Sequence, residues 1–324
     1  MIHSKRHHTA LATGLAMLVV AGCGTLAVWS APDKKPSAAR TPAAQQADQL
    51  FWQTLHAGAY DRIPASLTAL KAAYLADPND SVTAAHIGFM HIWRLSERAR
   101  IPSGPGPEIT DDAVLARKYF EEAVRLDPND ARYLGFYASL LMSEGSIHKD
   151  EKLTRRGYYT MQDAVAAWPE FNLFTSGYGF GSQPYDSPRF TEGLEAQWKN
   201  VDVCAGTTVD RVNPDYAPYM KLETKQGPKR ACWNSWIAPH NFEGFFLNFG
   251  DMLVKSGDPA TAVKMYANAK LTPDYAKWPY REALEARIAN ANANVATFRN
   301  PKPSPDTTKM MVQSTYACAG CHQQ

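Results

Sequence analysis

Leu75-Ala76-Asp77-Pro78-Asn79-Asp80 returns as Leu126-Asp127-Pro128-Asn129-Asp130, its Asp-Pro-Asn-Asp fifty positions further on. Each copy closes a stretch of mixed apolar and charged residues with helical spacing. Ala164-Val165-Ala166-Ala167-Trp168-Pro169 and Ala269-Lys270-Leu271-Thr272-Pro273 close two more such stretches. A recurring helix–stop pattern predicts a mostly α protein built from stacked helical units.

Working outward from these ends, the fullest unit runs from Phe246 to Pro273. Phe246, Phe249, Gly250, Leu253, Gly257, Asp258, Ala262, Tyr266 and Ala269 alternate large, small and aromatic positions. Ala116, Phe120, Ala123 and Pro128 repeat its second half. This pattern resembles tetratricopeptide (TPR) repeats, with the closing proline one place early. The resemblance implies hairpins in which Gly250 and Ala262 let two helices approach while aromatic side chains fill the remaining space. Four hairpins are expected, over 46–78, 82–128, 131–169 and 242–273, with a capping helix over 279–298. A fifty-residue spacing, against the family's thirty-four, departs from a regular superhelix. Pro102 to Pro107 and Ser146 to Arg156 read as insertions.

The composition fits this class. Of 324 residues 45% are hydrophobic, with 34 basic and 32 acidic side chains. That excludes a largely disordered, collagen-like or multi-span membrane chain and leaves room for about two domains. Lys5 and Arg6 are the only charged residues before Cys23, so cleavage there leaves 34 − 2 = 32 basic against 32 acidic groups. A neutral body without a basic run argues against nucleic-acid binding.

Residues 1–22 read as an export signal, with Lys5 and Arg6 ahead of the apolar run Leu11 to Val20. Val20-Ala21-Gly22-Cys23 resembles a bacterial lipobox. The resemblance implies lipidation of Cys23 and stable anchoring by more than one chain. An uncleaved anchor is the alternative, since Thr9 to Pro32 carries no charge and is long enough to span a bilayer. Either reading places the body outside the cytoplasm, facing the periplasm. Gly24 in place of an aspartate favours the outer over the inner membrane. Residues 23–48, rich in Pro, Ala, Gln and Lys, are expected to form an extended tether. The helical hairpins then fill 49–169.

Residues 170–239 interrupt the array as a loop-rich insertion. The run Ser176-Gly177-Tyr178-Gly179-Phe180-Gly181 reads as a loop, without the strand–helix context of a phosphate site. Ser187-Pro188 predicts a helix start reaching about Val203. In an oxidising compartment Cys204 and Cys232 are expected to pair; two free buried thiols are the alternative. Residues 240–299 hold the last hairpin and capping helix, and 300–324 a Pro-rich spacer and tail. Asp306 or Thr307 is expected to start a short helix through Lys309 to Ala317.

That tail holds Cys318-Ala319-Gly320-Cys321-His322. Cys-x-x-Cys-His is the attachment motif of c-type cytochromes. The resemblance covers the motif alone and implies one covalent haem c, on thioethers to Cys318 and Cys321, with His322 on the iron. Half a zinc site or a redox dithiol are the rival readings. The first lacks a second cysteine pair and the second a βαβ pattern. Only Gln323 and Gln324 follow in this sequence, so a small cytochrome domain around the haem is not expected. His240 is a tentative distal ligand. Met310 and Met311 lie on the wrong side of the motif; His86 and His91 suit packing; His148, Met220 and Met252 stay open. The chain resembles a TPR-repeat lipoprotein with a haem c tail. The expected role is electron transfer with a periplasmic or membrane redox protein bound through the TPR-like surface. The alternatives are gas or peroxide binding at an open iron, and an assembly scaffold with structural haem.

Overall fold

The computed structural model describes residues 29–104, 106–234, 242–302 and 307–311. The chain divides after Lys35, and the helical body belongs to the unit that begins at Pro36. All regular structure among the described residues is helical. The repeated Asp-Pro-Asn-Asp explains why the helices stop and restart where they do. In the first copy Asp77 Oδ1 accepts from the Asn79 N–H at 3.1 Å, and Asp80 Oδ1 accepts from the Val82 N–H at 3.1 Å. In the second, Asp127 and Asp130 accept from Asn129 and Arg132 at 3.3 and 3.0 Å. The first aspartate of each copy closes the turn and the second caps the next helix. Each cap is worth about 0.5–2 kcal/mol.

The described residues form twelve α-helices. The first six are α1 (Pro42–His56), α2 (Ile63–Ala76), α3 (Ser81–Ser96), α4 (Asp111–Leu126), α5 (Ala131–His148) and α6 (Glu151–Ala167). The rest are α7 (Pro169–Phe180), α8 (Pro188–Ala205), α9 (Glu243–Ser256), α10 (Pro259–Ala267), α11 (Arg281–Ala289) and α12 (Ala291–Arg299). From α1 to α10 each odd-numbered helix packs on the even one that follows it. Close approach depends on missing side chains. A Cβ on Gly250 of α9 would collide with the Tyr266 ring of α10, and one on Gly88 of α3 would lie 2.7 Å from Phe120 of α4. Ala262, on α10, is fully buried. The apolar core falls into three clusters. One is formed by α1–α3, one by α3–α5, and the largest joins the disulfide region to α9–α12.

Several expectations need correction. Residues 170–239 do not open as a loop: α7 carries Gly177 and Gly179 on a helix that packs on α8. The glycines serve helix contact, since a Cβ on Gly177 would lie 2.8 Å from Gln197, and one on Gly193 2.7 Å from Phe180. Between His148 and Glu151 only two residues link α5 to α6, with Lys149 in the left-handed region at φ 55°, so 146–156 is no insertion. The expected capping helix over 279–298 is broken at Asn290 into α11 and α12. The tether ends early. Helix α1 starts at Pro42, and Ser37 and Arg40 already bond to Asp77 and Asp80. Residues 307–311 are not helical.

The later half of 170–239 matches its reading. Ser187 caps α8 through the Phe190 N–H at 3.1 Å. Cys204 and Cys232 form a disulfide with Cα atoms 5.5 Å apart. Both cysteines are buried in the largest cluster, and Trp233 Nε1 donates to the Cys204 carbonyl at 3.0 Å. The bond joins positions 28 residues apart. Replacing both cysteines by serine is expected to lower stability by about 2–4 kcal/mol. Urea unfolding of the oxidised protein against that double variant measures it.

Candidate functional site

Cys318, Cys321 and His322, the tentative distal ligand His240 and the lipidation residue Cys23 lie outside the described residues. The structure does describe the chain leading into the motif, and how the body holds it.

The holding group is Asp251. Helix α9 is buried almost all round, with Phe245, Phe246, Phe249, Met252 and Leu253 within a few per cent of full burial. Its helical register carries Asp251 into the same interior, where it has no exposed surface. A buried carboxylate survives only if its oxygens are bonded. Oδ1 accepts from the Tyr266 hydroxyl at 2.6 Å and Arg287 Nε at 3.0 Å. Oδ2 accepts from the Met311 backbone N–H at 2.8 Å. Arg287, on α11, donates a further bond from Nη2 to the Lys309 carbonyl at 2.5 Å. Two body residues thus bind the main chain of 309–311.

Met311 completes the contact. It adopts φ 57°, a left-handed conformation that costs a residue with a side chain about 1–3 kcal/mol. Its thioether is fully buried. Gly181, at the end of α7, makes room: a Cβ there would lie 3.2 Å from Met311 Cε and 3.1 Å from Met252 Sδ. Lys255 of α9 fixes the same turn, its ammonium donating to the Gly181 and Gln183 carbonyls at 3.0 and 2.7 Å.

Burial raises the Asp251 carboxyl above its ordinary value, while Arg287, the Tyr266 hydroxyl and the Met311 amide oppose that rise. Burial and the neighbouring carboxylate push the Tyr266 hydroxyl well up, so it stays protonated and donates. The Lys255 ammonium bonds to carbonyls rather than to a carboxylate, and burial pushes it down to about 8.

Grooves also lie elsewhere on the helical body, and two of them are lined as follows. One, of about 320 Å3, is lined by aromatic side chains of α1, α3, α5 and α7 together with Arg40, Arg132 and Arg230. Arg230 lies 4.0 Å over the Trp168 ring, and burial and the Arg132 charge hold it below the usual guanidinium range. The other, of about 480 Å3, lies between α3, α5 and the end of α7, beside the turn that packs on Met311. Its lining mixes apolar side chains such as Ile92, Leu95 and Phe180 with hydroxyls of Ser139, Ser143 and Ser146, and includes one thioether, Met142.

The other histidines and methionines singled out in the sequence sit apart from the Asp251 clamp or pack around it. His86 stacks on Phe51 with centroids 3.9 Å apart, its Nδ1 2.8 Å from Asp48. His91 is buried with Nδ1 2.6 Å from Asp112. Met252 is buried in the core, Met220 packs at its edge and His148 is exposed on the last turn of α5. Met310 is partly buried beside the same core. Neither Asp251 nor Arg287 stood out in the sequence. A carboxylate at the middle of an otherwise apolar helix was the available signal. Among the described residues no helix is long and apolar enough to cross a membrane.

Arg287→Met leaves Asp251 buried without its cation. It is expected to cost about 3–5 kcal/mol and to speed tryptic cleavage after Lys309, read by urea unfolding and timed proteolysis. Lys255 gives a pH test. Its folded pKa lies below its ordinary 10.5, so the unfolded chain binds more protons between about 8 and 10.5, and stability from this group rises with pH there. The urea midpoint of the protein, measured relative to Lys255→Met, is expected to climb from pH 8 to pH 10.

No family model, no curated protein and no solved structure matches this chain.

Proposed function

We propose that the chain is an exported, membrane-anchored monohaem c-type cytochrome with a TPR-like body, exchanging electrons with a partner redox protein. The observation that carries this reading is Cys318-Ala319-Gly320-Cys321-His322 in a chain that also holds an export signal and the Cys23 lipobox. Attachment of haem c takes place outside the cytoplasm, so the motif calls for the signal. The Cys204–Cys232 disulfide supports the same compartment, because such bonds persist where the surroundings are oxidising.

In this reading Cys318 and Cys321 hold the haem by thioethers and His322 binds its iron, which supplies one-electron chemistry. The chain's own residues position it. Asp251 and Arg287 fix the main chain of 309–311, and Cys318 follows Met311 by 318 − 311 = 7 residues. The groove of aromatic residues suits a partner with an apolar surface; Arg40 and Arg132 already pair with Asp48, Asp80 and Asp130, which leaves Arg230 to meet a partner's carboxylate. Helix arrays commonly offer partners such surfaces.

The test is an absorption spectrum of protein exported in a host that matures haem c, oxidised and reduced, with and without carbon monoxide. A covalent haem spectrum is expected, low-spin when reduced and unchanged by carbon monoxide, and absent from Cys318→Ala/Cys321→Ala. Ready binding of carbon monoxide would move gas or peroxide chemistry ahead of electron transfer. Absence of covalent haem would overturn the reading.

A further inference from the structure

We infer that the groove of aromatic side chains between α1, α3, α5 and α7 is a binding site for a small planar aromatic carboxylate, with Arg230 taking the carboxylate and Phe136, Phe171 and Trp168 taking the ring system. This goes beyond the electron-transfer reading and does not depend on it.

The lining is a continuous run of rings. Phe89 of α3 meets Phe136 of α5 with centroids 5.5 Å apart, Phe136 meets Phe171 of α7 at 5.9 Å, and Phe171 meets Trp168 at 5.7 Å. Phe136, Phe171 and Trp168 each keep part of their surface exposed. Rings that stay wet in one recess lose that water when a flat apolar group enters, and aromatic pairs gain further from stacked or edge contact. The recess measures about 320 Å3, within the range of small-ligand sites, which are mostly apolar with a few placed polar groups.

The charged side chains of the lining are already paired, with one exception. Arg40 pairs with Asp48 and Asp80, and His86 Nδ1 lies 2.8 Å from Asp48. Arg132 donates from Nε to Asp130 at 2.9 Å. Arg230 donates from Nη1 to the Gly227 carbonyl at 2.8 Å and lies 4.0 Å over the Trp168 ring, but pairs with no carboxylate among the described residues. Asp306 is the only acidic side chain outside those residues.

The local geometry holds this cation ready. Trp168 Nε1 donates to the Pro228 carbonyl at 3.0 Å, so the 227–230 turn fixes both the indole and the guanidinium over it. A guanidinium over a ring uses its face there and keeps its remaining N–H groups, in its own plane, for a carboxylate. Arg132 lies 6.0 Å from the same ring, so two guanidiniums meet one aspartate at this end of the groove. Burial and the Arg132 charge act against the Arg230 cation, and a ligand carboxylate would offset both. One unpaired cation beside a run of rings is the complement of a flat acid with a single charge. Such an acid would compete with a partner that presents a carboxylate to Arg230.

The experiment is isothermal titration of the full-length protein with 2-naphthoate and with 2-naphthamide, which keeps the rings and lacks the charge. Naphthoate is expected to bind at one site per chain, and the amide at least about tenfold more weakly. Arg230→Met is expected to weaken naphthoate to the level of the amide and to leave the amide unchanged. Arg230→Lys is expected to recover part of the loss, since an ammonium keeps the charge without the planar fork. The urea midpoint of Arg230→Met is expected at or above the parent's, because no ion pair within the described chain is lost, so weaker binding is not unfolding. Phe136→Leu is expected to weaken both ligands alike, by about three- to tenfold. No heat of binding with millimolar naphthoate overturns the site. Equal affinity for acid and amide, or an Arg230→Met protein that binds naphthoate as the parent does, overturns the role of Arg230. Unchanged affinities in Phe136→Leu overturn the ring contact. Tighter binding of the peptide acetyl-Phe-Glu-amide than of naphthoate overturns the small-acid reading in favour of a protein segment.

Discussion

The C-terminal part of this protein depends on one buried carboxylate. Asp251 has no exposed surface, yet three separate stretches of chain donate to it: Tyr266 from α10, Arg287 from α11 and the Met311 amide from the tail. Without those donors the charge would be too costly to bury. With them it fixes where α9, α10, α11 and the tail meet. The same few bonds that satisfy one aspartate also bring the residues ahead of Cys318 to a defined place on the body. Lys255, one turn further along α9, extends this by bonding the carbonyls at the end of α7. Helix α9 is therefore the hub of that region, through two charged residues within an apolar surface.

How much of this the sequence shows depends on how far apart the interacting residues are. Asp77, Asp80, Asp127 and Asp130 act on backbone groups two residues away. Local chemistry of that kind repeats visibly, which is why the helix ends could be read directly. Ser187-Pro188 was legible for the same reason. The Cys204–Cys232 pair followed from the expectation of an oxidising compartment. The clamp could not be read, because Asp251 meets residues 36 and 60 positions later, and nothing in its own neighbourhood announces them.

Glycine misled in the other direction. Gly177, Gly179 and Gly181 read as a loop, but propensity was overridden by packing. Gly177 faces Gln197 across the α7–α8 contact, and Gly181 gives space to Met252 and Met311. A glycine at a helix crossing costs backbone entropy and gains proximity. The choice between loop and helix there depends on what stands opposite, and that is known only once the helices are placed. His86 and His91, by contrast, fit their sequence reading as packing residues because each faces a carboxylate on a neighbouring helix.

The bonds that hold the tail reach its main chain: Arg287 takes the carbonyl of Lys309 and Asp251 the amide of Met311. Main-chain groups are the same in every residue, so these two bonds fix position along the tail, and only the buried Met311 side chain adds a demand on spelling. The exposed Lys309 side chain can change without loss of either bond. A residue inserted or deleted between Lys309 and Met311 would instead break one of the bonds or draw the methionine out of its pocket. Over these three positions the body would tolerate substitution at the first and resist a change of length.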